Sequence, residues 1–134
     1  MSRTSSRSAG LALACAIFAA GSLAVPAFAA DPAKVADTAK GKTLVNAAGM
    51  TLYVFAKDKD GASTCNGPCA INWPPLKAEA GAKAAAPWSV ITRADGSSQW
   101  AYKGKPLYTW SKDKAPGDVS GDGFLDGAWS VAHP

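Results

Sequence analysis

Apolar residues are spread unevenly along the chain. Residues 9–25 form a nearly unbroken apolar run, preceded by Arg3 and Arg7 among serines and closed by Pro26. Beyond it, apolar and polar positions alternate over short stretches. Leu52 and Val54 alternate with Tyr53 and Phe55, and Leu107 and Thr109 alternate with Tyr108 and Trp110. A period of two puts neighbouring side chains on opposite faces of a strand, so both stretches read as strands. Residues 88–93 and 98–102 flank Ala94-Asp95-Gly96-Ser97, which predicts a hairpin. Residues 31–42 fit a leader or an edge strand, residues 78–86 a linker or a single helical turn stopped by Pro87, and residues 114–127 a Gly/Asp-rich loop.

The two alternating stretches are copies of one another. Gly49-Met50-Thr51-Leu52-Tyr53-Val54-Phe55-Ala56-Lys57-Asp58 aligns without gaps onto Gly104-Lys105-Pro106-Leu107-Tyr108-Thr109-Trp110-Ser111-Lys112-Asp113, and Trp-Ser-Val recurs at Trp88 and Trp129. Two copies are too few for a solenoid. The reading is a small all-β single domain of short antiparallel strands with an internal pseudo-two-fold repeat, built as a meander, sandwich or barrel. The copies span residues 49–76 and 104–132 of a domain at 43–134, with 30–42 as the leader or edge strand. In each copy the Asp leaves the strand and can accept from a nearby backbone N–H to set a turn.

These residues carry a resemblance. The doubled Leu-Tyr-x-aromatic-x-Lys-Asp, followed in the first copy by Cys65-Asn-Gly-Pro-Cys69-Ala-Ile-Asn-Trp73-Pro-Pro-Leu76, resembles the bacterial secreted-repeat family, described as predicted lipoproteins with a Tyr-x-(Phe/Trp/Tyr)-x-x-Asp motif. Here that motif falls on Tyr53, Phe55 and Asp58, and again on Tyr108, Trp110 and Asp113. The resemblance implies an exported, β-rich envelope protein and carries no established catalytic activity.

The N-terminal pattern agrees with export. A basic n-region, an apolar h-region and small residues at Ala27 and Ala29 describe a secretory signal cut after Ala29. The run is too short and too alanine-rich for a membrane span, which needs about 20 apolar residues. Lipid attachment at Cys15 is the weaker route, because Ala12 stands where a lipobox wants a large aliphatic residue. Cleavage leaves about 105 residues with no transmembrane span. The whole chain carries +4; loss of Arg3 and Arg7 leaves twelve basic against ten acidic residues, so +2, too little to indicate a nucleic-acid partner.

Candidate chemistry is sparse. Cys65 and Cys69, the two cysteines left after cleavage, fit a disulfide around a turn-forming Asn-Gly-Pro in an oxidising compartment. The sharper alternative is a reduced pair holding a soft metal such as Cu(I), with Met50 or His133. Covalent haem is excluded by the spacing and by Ala70 after the second cysteine. Asp118, Asp122 and Asp126 recur every four residues on a glycine-rich loop but miss the EF-hand ligand positions, so a solvated turn is the stronger reading. His133 has no nucleophile signature beside it, and Glu79 is the sole glutamate.

Bulky aliphatics are few, so the aromatic residues must supply most of the core. Trp73 and Trp129 lie outside the strand copies and are expected at a partly exposed ligand rim. The expectation is a non-catalytic, monomeric exported protein without a cofactor, binding an unknown small molecule or envelope component. A periplasmic copper or redox carrier using Cys65 and Cys69 is the alternative, and a hydrolase built on His133 comes third.

Overall fold

A computed structural model describes residues 31–134. The expected signal at 1–29, the cut after Ala29 and the lipid route through Cys15 lie outside the described residues. The described chain runs β1 (Lys34–Thr38), β2 (Gly41–Val45), β3 (Tyr53–Phe55), α1 (Pro68–Asn72), β4 (Trp88–Thr92), β5 (Ser98–Tyr102), β6 (Lys105–Pro106), α2 (Phe124–Gly127) and β7 (Trp129–Val131). In the stretch expected as a loop, α2 is one kinked turn with Leu125 and Asp126 at left-handed φ. The strands form three small sheets, β1–β2, β3–β7 and β4–β5–β6, with every pairing antiparallel. The fold is a small all-β domain.

Local chemistry explains the turns. In the β4–β5 hairpin the Asp95 side chain accepts from Ser97 N at 2.9 Å, and Gly96 takes φ 86°, where an L side chain would be strained. The residues read as a leader or edge strand become β1 and its turn into β2, registered from Lys34–Val45 to Thr38–Gly41. The short helix α1, which the alternation does not announce, starts at Pro68, where the missing N–H costs nothing. Residues 78–86 hold turns and no helix.

The two halves obey one hydrogen-bond plan. Leu52 N donates to Leu44 O, as Leu107 N does to Trp100 O; Ala132 N donates to Leu52 O, as Leu76 N does to Leu107 O. Leu44 N then reaches Ala132 O, as Trp100 N reaches Leu76 O. Each copy therefore sends its tail into the other copy's strands. At the pseudo-two-fold axis Tyr53 and Tyr108 exchange both backbone bonds, at 2.7 and 3.0 Å.

The symmetry of the ladder breaks beside Tyr108. The expected strand at Leu107–Trp110 is reduced to bridges from Tyr108 to Tyr53 and Pro75, whereas its counterpart β3 pairs regularly with β7. Prolines cause the difference. Pro74 and Pro75 stand where the other half has Ser130 and Val131, and they have no N–H to donate. A single bond from Thr109 N to Pro74 O replaces the ladder there.

Period-two alternation sorts the core into two clusters. Leu52 and Leu107 join Ala33, Leu44 and Ala132 on one side. Tyr53 and Tyr108 join Cys65, Trp73, Trp110, Trp129 and Val131 on the other. The aromatic cluster is closed tightly at Gly121: a Cβ there would lie 2.6 Å from Trp73 and 3.0 Å from Trp110. Gly121→Ala is expected to lower the unfolding free energy by about 1–3 kcal/mol through overpacking, read by urea denaturation. Because the tails are exchanged, residues 31–86 and 87–134 expressed separately are expected to lack cooperative thermal transitions by circular dichroism.

Candidate functional site

The repeated motif builds a crossed network. The Tyr53 hydroxyl donates to Asp113 Oδ2 at 2.6 Å, and the Tyr108 hydroxyl donates to Asp58 Oδ2 at 2.5 Å. Each tyrosine is thus bound by the aspartate of the other copy. The second carboxylate oxygens are held locally: Thr64 N and Oγ1 bind Asp58 Oδ1, while Ser120 N and Oγ bind Asp113 Oδ1. The expected local turn contact exists, but the long-range contact to tyrosine was not legible from either copy alone. Its signal was the equal Tyr-to-Asp spacing in both copies.

Burial and the bonded carboxylates push both tyrosine pKa values well above the ordinary range, burial being the larger cause. Hydrogen bonds to ionised acceptors contribute about 1.5–3 kcal/mol each.

Aromatic rings cross in the same manner. Phe55 stacks on Trp129 at 4.2 Å, Trp129 on Trp73 at 3.8 Å, and Trp73 on Trp110 at 4.0 Å. The column alternates between copies, and Phe124 tilts over its Trp110 end at 5.1 Å. Trp73 and Trp129 were expected at a partly exposed rim; instead they are 2% and 1% exposed, at the centre of the column. Tails exchanged between the copies carry them inward.

Two buried polar residues extend the network. Arg93 donates to Ser63 Oγ at 3.0 Å, to Gln99 Oε1 at 2.7 Å, and to the Cys65 carbonyl. Ser63 lies 2.6 Å from the Tyr108 hydroxyl, so a chain of donors runs from Arg93 through Ser63 and Tyr108 to Asp58. Gln99 Nε2 donates to Leu107 O at 2.7 Å. Neither residue stood out in the sequence, since both occupy a hairpin with ordinary strand patterning.

Cys65 and Cys69 are joined by a disulfide, with Cys65 buried in the aromatic cluster. The loop it closes is short, so its chain-entropy gain is below the roughly 3 kcal/mol of a 15-residue loop.

The other candidate ligands are dispersed. Asp118 accepts from Lys114 N and Ala115 N and so makes a local turn. Asp122 accepts from Val131 N and pairs with Lys40 at 3.4 Å, while Asp126 is exposed in a left-handed turn at φ 56°. His133 is exposed and donates from Nδ1 to the Lys42 carbonyl at 2.7 Å, and Met50 sits in the turn closed by Asn46. Among the described residues no three His, Cys, Asp or Glu side chains are grouped to hold a metal ion.

These features define a class: a disulfide-bearing all-β domain in which two Tyr-x-aromatic-x-x-Asp copies are interlocked about a pseudo-two-fold axis. A family model described as a secreted repeat of unknown function matches residues 34–77 and 89–133. The chain belongs to that secreted-repeat family. The matched segments begin near β1 and β4, upstream of the copies visible in the sequence at 49–76 and 104–132. No curated protein and no solved structure matches the chain. No helix among the described residues is long and apolar enough to cross a membrane.

Tyr53→Phe and Tyr108→Phe are each expected to cost about 1.5–3 kcal/mol in urea denaturation, with a coupling of at least 1 kcal/mol in the Tyr53→Phe/Asp113→Asn cycle. The raised tyrosine pKa values add a pH dependence. Their stabilising contribution is complete below the ordinary tyrosine value of about 10 and is lost as pH climbs from there through the native values. Tyrosinate absorbance from Tyr53 and Tyr108 is expected to rise only together with unfolding.

Proposed function

We propose that the protein works outside the cytoplasm, after removal of residues 1–29, as a non-catalytic module that binds a small molecule or an envelope component. The supporting observation is the inward use of the motif's polar groups. Both tyrosine hydroxyls, both motif carboxylates, Arg93 and Gln99 are bonded to one another or to neighbouring main chain and hydroxyls. Among the described residues, Thr51 Oγ1 is the buried side-chain oxygen without a partner. Reacting groups need free lone pairs or protons aimed at a cleft, and this network turns its groups inward. Binding is then left to side chains on the outer surface.

The joined sulfurs favour this reading over a copper or redox carrier, which needs Cys65 and Cys69 as thiolates. A hydrolase would need a nucleophile bonded to its base, whereas the hydrogen bond of the His133 ring among the described residues goes to the main-chain carbonyl of Lys42.

Native mass spectrometry of protein isolated from its own periplasm, with a thiol count, tests the proposal. The expected product begins at Ala30, has no free thiol at Cys65 or Cys69, carries no lipid and retains a non-covalent organic ligand or partner. Two free thiols with one bound copper ion would establish the carrier instead, and hydrolysis abolished by His133→Ala would establish an enzyme.

A further inference from the structure

The two halves of this chain are an internal comparison of what the scaffold needs. Positions kept in both copies, Leu52/Leu107, Tyr53/Tyr108 and Asp58/Asp113, serve the shared core and its crossed bonds. Exposed positions that differ are free of that demand. The clearest difference is in the turn before each copy: Lys103 and Lys105 stand where the first copy has Ala48 and Met50.

Those lysines overlook a cleft. A hollow of about 240 Å³ is lined by Val54, Leu107 and Ala132 below and by Tyr102, Lys103, Lys105 and His133 around the rim. A second hollow of about 150 Å³ adjoins it, sharing Val54, Lys105 and Ser130 and adding Lys59. Leu107 and Ala132 are buried in the aliphatic cluster beneath the hollow, so the half-buried Val54 and Tyr102 supply its apolar surface. Ser130 faces Val54 in register across β3–β7 and adds a hydroxyl beside them.

Charge is uneven along this cleft. The ion pairs among the described residues are Lys40–Asp122 and Lys42–Asp37, which leaves Lys59, Lys103 and Lys105 without a carboxylate partner. Asp58 and Asp60 line the smaller hollow; Asp58 is bound to Tyr108 and Thr64, and the Asp60 carboxylate packs against Gly104 between Lys103 and Lys105 without forming an ion pair with either. The larger hollow has lysines and no carboxylate on its lining.

Backbone strain falls on the same rim. Lys103 has φ 50°, a region that favours glycine or asparagine. Its N–H bonds Pro87 O at 2.8 Å, and its ammonium lies 5.3 Å from the centre of the Tyr102 ring. With Gly104 at φ 80°, Lys103 forms the two-residue turn between β5 and β6, a hairpin geometry that requires positive φ at both positions and fixes where the two lysines project.

We infer that the cleft between β3, β6 and β7 binds a small amphiphilic anion, an alkyl or acyl chain ending in phosphate or carboxylate. The apolar end lies on Val54 and the Tyr102 ring, above the buried Leu107 and Ala132, and the anionic head meets Lys103 and Lys105. This rests on the binding reading above and specifies its ligand chemistry. Two lysines on a chain of low net charge match one head group rather than a polyanion.

Octyl phosphate is the probe, added to the exported chain while the methyl resonances of Val54, Leu107 and Val131 are followed by NMR. It is expected to shift them, with affinity falling as salt rises. Lys103→Asn combined with Lys105→Met, the latter restoring the first copy's residue, is expected to weaken binding roughly tenfold or more while the thermal midpoint is kept. Inorganic phosphate and octyl glucoside are expected to bind far more weakly, since each supplies half of the recognition. Vesicles of phosphatidylglycerol that bind where phosphatidylcholine vesicles do not would assign the head group to a lipid; binding of dissolved octyl phosphate alone would assign it to a free amphiphile. Equal binding of octyl glucoside, unmoved methyl resonances, or an unaffected double variant would overturn the inference. An organic ligand retained from the native periplasm that leaves these methyls unmoved would overturn the cleft and keep the binding module. Absence of both would overturn the two together.

Discussion

A buried carboxylate has to be met by donors, and here the donor that completes each one lies in the other half of the chain. Asp113 is 8% exposed, and its Oδ2 is reached by Tyr53 from the first copy in a buried bond. Asp58 is completed by Tyr108 in the reverse sense. Neither half can satisfy its own aspartate, so the copies fold as one unit. The exchange of backbone bonds between Tyr53 and Tyr108 sets the distance over which those side chains must cross. Leaving the buried Asp113 carboxylate unpaired would cost more than a neutral hydrogen bond is worth, while the half-exposed Asp58 would lose less.

The stacked rings solve a related difficulty. A chain short of large aliphatics has to bury area by other means, and aromatic side chains carry the most area per residue. Alternating the rings between copies, as in Phe55–Trp129–Trp73–Trp110, makes the interior of each half the packing surface of the other. Gly121 is the counterpart of that density, since the edge of Trp73 occupies the space of a side chain. The disulfide at Cys65 secures the loop beside the column and closes too short a ring to govern global stability.

A scaffold that uses its motif internally leaves recognition to residues outside the motif. The cleft proposed over Val54 fits that division, because its lysines have no equivalents across the pseudo-two-fold axis. Duplication preserves what holds the halves together and leaves their outer turns to diverge.

Much of the local structure was legible in the amino-acid order. Alternation at Leu52–Phe55 and the Asp95-Gly96 turn predicted β3 and the β4–β5 hairpin, because strand period and turn conformation depend on neighbouring residues. The duplicated motif and the short Cys65–Cys69 spacing likewise needed only a one-dimensional comparison. What the order of residues could not show was which copy each tail would join. Tail exchange moved Trp73 and Trp129 from an expected rim into the core, gave Asp58 and Asp113 their distant tyrosines, and buried Arg93 against Ser63 and Gln99. Two prolines then removed the ladder from one side alone. The sequence by itself determined strands, turns and duplication, which are set over a few neighbouring residues. Only the tertiary structure decided the crossing of the copies, because burial and pairing between distant segments depend on how both halves close together.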